Sequence, residues 1–150
     1  MKTTKSICAV IIMLIFSFEP VNADNNVVGS IKNVHGGAHI IRDGSDIAAK
    51  KGQKLYQSDV LQTDAGGSMG LILRDDTLIS LGPNTQISID EFKFIPAQNE
   101  FSILTKMFKG IVTYVSGKIA KLSPESARFE TPVATVGVRG TKFLVKIDES

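Results

Sequence analysis

Ser68 has the most direct claim to chemistry in this chain. It stands in Gly66-Gly67-Ser68-Met69-Gly70, which fits the G-x-S-x-G pattern of a hydrolase nucleophile. That pattern works when a sharp strand-to-helix turn exposes the serine Oγ and an acid and then a histidine follow later in the chain. Here the residues after Ser68 read as a strand, and both histidines, His35 and His39, precede it. A glycine-rich turn feeding a strand accounts for the run. The two histidines are four residues apart, a helical metal-ligand spacing, but Gly36 and Gly37 between them argue against a helix. On a strand they would lie roughly 13 Å apart, too far for one ion with ligands at about 2 Å. They read as surface histidines near a hairpin. Asp59, Asp64, Asp75 and Asp76 lack the D-x-D-x-D-G spacing of a calcium loop. Asp75-Asp76 reads instead as the turn of a hairpin between Ile72-Leu73 and Leu78-Ile79.

Residues 131–141, Thr-Pro-Val-Ala-Thr-Val-Gly-Val-Arg-Gly-Thr, are the most distinctive stretch. Pro132 lacks an N–H and suits the first residue of a strand or an edge. Gly137 and Gly140 within an apolar pattern predict bulges or close backbone approach. Arg139 between them has two readings. It binds an anionic ligand or a partner through its forked guanidinium, or it ties neighbouring loops together. The second is favoured, because isolated arginines on small β domains snorkel or pair locally.

The elements that would position these residues are strands. Met69, Leu71 and Leu73 alternate with their neighbours, as do Thr85, Ile87 and Ile89, then Phe92 and Phe94, then Phe143, Val145 and Ile147. Period-two alternation predicts strands with one buried face. Gly36-Gly37, Asp43-Gly44, Lys51-Gly52, Gly66-Gly67, Gly82-Pro83-Asn84 and Pro96 punctuate them at short intervals. The predicted fold is all-β, a single domain of short antiparallel strands forming a sandwich, a roll or a short β-solenoid. One stretch departs from the pattern: Leu104, Met107, Phe108 and Ile111 fall at helical spacing. Either a short helix runs near residues 102–109 and ends at Gly110 as its C′ residue, or a continuous strand with a bulge runs on from Phe101.

The chain begins with what reads as a secretory signal peptide. Lys2 and Lys5 precede a 12-residue stretch, 7–18, that is apolar except for Ser17, and Val21 and Ala23 occupy the two cleavage-specificity positions. Twelve helical residues cover only about 18 Å of a ~30 Å hydrocarbon core, so a signal peptide is favoured over the alternative, an uncleaved N-terminal anchor. Residues 1–23 are read as the leader, 24–28 as a short linker and 29–150 as the domain. Removal of the leader leaves 127 of the 150 residues, one domain's worth. It also removes Cys8, the only cysteine, so the mature chain has neither disulfide nor thiolate site. Charge gives no recruitment signal. The mature part carries 15 basic and 14 acidic residues, and no basic run exceeds Lys50-Lys51, so nucleic acid is not expected as a partner.

The stretch Thr131-Pro132-x-Ala134-x-x-Gly137-Val138-Arg139-Gly140-Thr141 resembles the most specific segment of FecR-type periplasmic domains. Asp59-x-x-Gln62-Thr63 followed by Gly66-Gly67-Ser68, and then Asp75-Asp76-Thr77-Leu78-Ile79-x-Leu81-Gly82-Pro83-Asn84-Thr85, resemble its other turns and strands. The resemblance covers about residues 29–147. Two positions depart from it: Ser58 stands where the family usually has Gly before the Asp, and Asp76 where it usually has the Gly of Asp-Gly. Both remain turn-compatible.

The resemblance implies a binding or signal-relay module rather than an enzyme. Membrane-spanning relatives join a cytoplasmic segment that controls a sigma factor to a periplasmic part that hears an outer-membrane receptor. The few residues ahead of the apolar stretch are too short for such an arm, so the expected role is protein–protein contact in the envelope. The expected partner is an envelope or membrane sensor protein, with no cofactor and no metal. The expected location is periplasmic or secreted. Many relatives continue with further strands after residues 143–147, so an open sheet edge is expected there, suited to strand addition or self-association. The contact residues are placed at Gly137, Arg139, Gly140, Thr141, Phe143 and Val145. The alternative is a structural or glycan-binding envelope protein. The absence of Trp and the presence of only two tyrosines, Tyr56 and Tyr114, count against it.

Overall fold

Strand alternation is realised almost wherever the apolar pattern has period two. The structure, a computed structural model, describes residues 26–140 and 142–148. The leader, Cys8 and Thr141 lie outside the described residues. Twelve strands form one curled sheet, a half-barrel whose inner face is the core. They are β1 (Val27–His35), β2 (Ala38–Arg42), β3 (Ser45–Ala48), β4 (Lys54–Tyr56), β5 (Val60–Thr63) and β6 (Ser68–Leu73). Then follow β7 (Leu78–Leu81), β8 (Gln86–Ile95), β9 (Glu100–Val115), β10 (Ala127–Glu130), β11 (Thr135–Gly137) and β12 (Lys142–Ile147). In β6, Met69, Leu71 and Leu73 turn inward and are buried while their neighbours stay half-exposed. Asp75 and Asp76 form the β6–β7 turn as expected, with the Leu73 N–H donating to the Thr77 carbonyl at 2.9 Å.

β9 organises the rest. Its first half pairs with β8 on one flank and β10 on the other, and its second half pairs with β7 and β12. The order β4-β1-β6-β7 therefore meets the order β8-β5-β2-β3 along a single long strand. Every pairing is antiparallel except that of β10 with β9. β9 turns from one half to the other at Gly110, where φ is +96°. A Cβ there would sit 2.3 Å from Thr85 Oγ1 and 2.4 Å from its Cα, so only glycine fits the corner. The Thr85 hydroxyl accepts the Ile111 N–H at 2.9 Å and so satisfies a backbone donor that the corner would otherwise orphan.

Residues 102–109 are therefore strand, not helix, and Gly110 is a strand corner, not a helix C′ residue. The helical spacing has a local cause. The β8–β9 register slips so that Phe108 is an extra residue between Met107 and Lys109, opposite Ile87 and Gln86. Before the bulge Ile103, Thr105 and Met107 face the core, and after it Val112 and Tyr114 do. Phe108 points out, 45 % exposed. The α-helix found among the described residues is α1 (Lys118–Leu122), which was not foreseen. Its first turn is held from a distance by the buried Asp75, whose carboxylate accepts the Ile119 N–H at 3.2 Å and whose carbonyl accepts the Lys118 N–H at 2.7 Å.

Candidate partner-binding edge

The distinctive segment is a hairpin followed by a crossing link. β10 and β11 are joined by a tight turn over residues 131–134, closed by the Thr131 N–H donating to the Ala134 carbonyl at 2.8 Å. Thr131 Oγ1 also accepts the Ala134 N–H at 3.1 Å. Pro132 lies in this turn, where its fixed φ is an asset, and not at a strand start. The bulge expected at Gly137 is absent. Arg128, Phe129 and Glu130 pair in unbroken register with Gly137, Val136 and Thr135, and a Cβ on Gly137 would meet nothing within 4 Å. Gly140 does need its freedom, with φ +64°. Between them Val138 is fully buried and donates its N–H to the Ala127 carbonyl at 3.0 Å. It pins the link to the core and leaves Arg139 exposed. The Glu125 carboxyl lies below its ordinary range because the Ser123 hydroxyl donates to it, with the Arg139 charge a smaller cause.

β12 follows. It pairs residue by residue with β9, from Lys142 opposite Val115 to Ile147 opposite Gly110. Among the described residues nothing pairs with its other flank, so it ends one half of the sheet. Phe143, Val145 and Ile147 pack against the core. The Phe143 ring stacks on Tyr114 at 5.1 Å and meets Phe129 edge-on at 5.5 Å. Two of the expected contact residues, Phe143 and Val145, thus turn their side chains inward. The outward side chains are Lys142, Leu144 and Lys146, with Leu144 64 % exposed. Leu144 was not singled out from sequence, although its signal was there: it is the apolar residue out of phase with Phe143, Val145 and Ile147.

The other candidates disperse. Ser68 is the first residue of β6 and stands opposite His35 across the β1–β6 ladder, on extended backbone with no helix after it. His39 bridges two carboxylates, Asp46 through Nδ1 at 2.9 Å and Asp64 through Nε2 at 3.2 Å. These bonds, Asp64 first, raise its pKa above the ordinary 6.5. Asp59 is buried and receives both Nε and Nη2 of Arg42 at 2.7 Å, plus the Tyr56 N–H at 2.8 Å. The same guanidinium lies 4.4 Å from the centroid of the Tyr56 ring. Asp76 pairs with Lys118 at 2.7 Å in solvent. The four aspartates thus serve separate places, and no group of three His, Asp or Glu among the described residues is arranged to hold a metal ion.

The profile of the FecR protein family matches residues 59–150, more than half of the chain, and the match takes in the hairpin, the link and β12. The chain belongs to the FecR family. FecR proteins take part in regulating signalling across the cell envelope, interact with sensor and anti-sigma components, and form a signalling rather than an enzyme family. Their domain is typically periplasmic. No curated protein matches the chain, and no solved structure does. No helix among the described residues is long and apolar enough to cross a membrane.

Proposed function

We propose that this FecR-family chain is an exported, non-catalytic binding module that relays or modulates envelope signalling by protein–protein contact, as an accessory to a membrane sensor. The observation that carries the reading is β12. It is a strand whose inner side chains are locked into the core, while its outer flank has no partner among the described residues and its exposed side chains include a leucine. A rigid strand with a free edge offers an extended segment a ready-made ladder of backbone donors and acceptors. The link with the exposed Arg139 lies next to it in the chain and widens the surface. The glycan-binding alternative draws little support from the two tyrosines, since Tyr114 is buried and Tyr56 carries Arg42 over its ring.

The test is a photo-crosslinking amino acid placed singly at Leu144, at Arg139 and, as a control, at Ser45 on the far edge strand β3. In the envelope fraction the first two positions are expected to give an adduct of one discrete mass, and Ser45 none. A folded, exported protein that gives no adduct from Leu144 or Arg139, or the same adducts from all three, would contradict the proposal.

A further inference from the structure

The hairpin strand β11 has an open flank of a different kind from that of β12. It pairs with β10 on one side, and among the described residues nothing pairs with its other side. Sheet edges are commonly guarded against association by charged side chains. β3 carries Asp46, β4 carries Lys54, and β12 carries lysines. β11 carries no charge, and neither do residues 131–138 around it. Thr135, Val136 and Gly137 are all exposed. Nothing within one chain requires glycine at 137: its φ is not in the left-handed region, and a Cβ there would meet nothing within 4 Å. Glycine weakens a strand, and it suits a place where another backbone comes close.

The hairpin's hydrogen bonds fix how a neighbour can pair. The Val138 N–H goes to the Ala127 carbonyl and the Thr131 N–H to the Ala134 carbonyl. By alternation, residues 134, 136 and 138 aim their backbone groups at β10, and Thr135 and Gly137 aim theirs outward. We infer that β11 pairs antiparallel with β11 of a second copy of this chain, centred on Val136. Thr135 of each copy then faces Gly137 of the other, and each of these two pairs exchanges two N–H···O bonds. Val136 meets its counterpart on the two-fold axis.

The flanking charges select this register. Arg128 lies opposite Gly137 and Glu130 opposite Thr135. In the joined sheet Arg128 therefore shares a row with Glu130 of the second copy, with Cα atoms about 14 Å apart across three strand spacings. Extended side chains span that gap, and the guanidinium passes over Gly137, which has no side chain to obstruct it. Sliding the pairing so that Thr135 faces Thr135 puts two glutamates in one row, and setting Gly137 against Gly137 puts two arginines in one row. A slide of half that size would set the inner face of one copy against the outer face of the other. Within one chain Arg128 holds Glu91 at 3.6 Å and Glu130 lies 4.0 Å from Lys106. These are surface pairs that water screens, so the rows choose the register while the backbone supplies the attraction. Three residues a side bury far less than the ~1,200 Å² of a stable interface, so the pairing is weak and reversible.

The test places one cysteine in the full chain carrying Cys8→Ser. Residues facing each other in a non-hydrogen-bonded pair have Cα atoms about 4.5 Å apart, within disulfide range. Under mild oxidation Val136→Cys is expected to give a disulfide-linked dimer about ten-fold faster than Val133→Cys, although Val133 is 93 % exposed. Adding Arg128→Glu to Val136→Cys is expected to slow the crosslink several-fold, and adding Glu130→Arg as well to restore it. Gly137→Pro removes an outward N–H and leaves the β10 ladder whole, so it is expected to abolish the crosslink. Should that variant fail to fold, the charge swap at surface positions decides. A crosslink from Val133→Cys as fast as from Val136→Cys, or a double swap that stays slow, overturns the inference. A Val136→Cys chain that stays monomeric also overturns it, and leaves the β12 proposal to its own Leu144 crosslink.

Discussion

The Phe143 ring lies on the Tyr114 ring with centroids 5.1 Å apart and planes 15° from parallel. Tyr114 is buried in β9, and Phe129 of β10 meets both rings edge-on. The three aromatics therefore join the edge strand β12 to both halves of the curled sheet. A strand clamped in this way is a fixed template, and fixing it beforehand lowers the ordering cost of adding a partner strand.

The clamp separates stability from binding along one strand. Phe143→Ala is expected to destabilise the fold by about 2–4 kcal/mol, near the lower end of the range for deleting a packed aromatic because the side chain is only partly buried. Leu144→Ala, one residue away and exposed, is expected to stay within about 0.5 kcal/mol. Urea midpoints at constant m-value check both.

Gly110→Ala is expected to cost more than about 1 kcal/mol, since the backbone there has φ +96° and the added methyl would collide with Thr85. Thermal unfolding reads the loss. A variant as stable as the parent would mean that β9 does not turn at this residue.

Ser58 and Asp76, the two positions where the resemblance leads one to expect glycine, both adopt positive φ, +72° and +68°. Ser58→Gly is expected to stabilise by up to ~1 kcal/mol by relieving a left-handed L-residue. Asp76→Gly is expected to gain less, because it also removes the exposed pair with Lys118. An increase in denaturation midpoint checks the sign for Ser58, and a decrease would contradict it.

His39 gives the fold a pH-dependent contact between β2, β3 and the turn after β5. Asp64 and Asp46 hold its folded pKa above the unfolded value near 6.5. The protonated ring is the stabilised form, so its contribution is fully present below pH 6.5 and is lost as pH rises through the folded pKa. His39→Gln is expected to flatten that part of the stability profile, measured by urea unfolding at a series of pH values from 5.5 to 8.5. An unchanged slope would contradict the assignment.

What could be read from sequence was what depends on near neighbours. The alternation of Met69, Leu71 and Leu73 marks a strand, and Asp75-Asp76 marks its turn, because period and turn chemistry are local properties. At Phe108 the sequence left a short helix and a bulged strand both open, since one inserted residue converts a period of two into an apparent helical spacing, and the bulged strand is the one found. Helix α1 was missed because it is only five residues long and is anchored by Asp75, 43 residues before it in the chain. The Arg42–Asp59 pair is likewise a product of pairing strands distant in sequence. At the candidate site the strand and its buried face were both legible in the alternation. The apolar trio Phe143, Val145 and Ile147 is what the core takes, which leaves Leu144 to solvent.

The central claim, that a partner engages the free flank of β12, is tested most directly by amide hydrogen exchange on the captured complex. Strand addition at this edge is expected to slow exchange at alternate amides of residues 142–147, those whose N–H groups point away from β9, and to leave β3 unchanged. Protection confined to other strands, with the outer amides of β12 still exchanging as in the free protein, would contradict it.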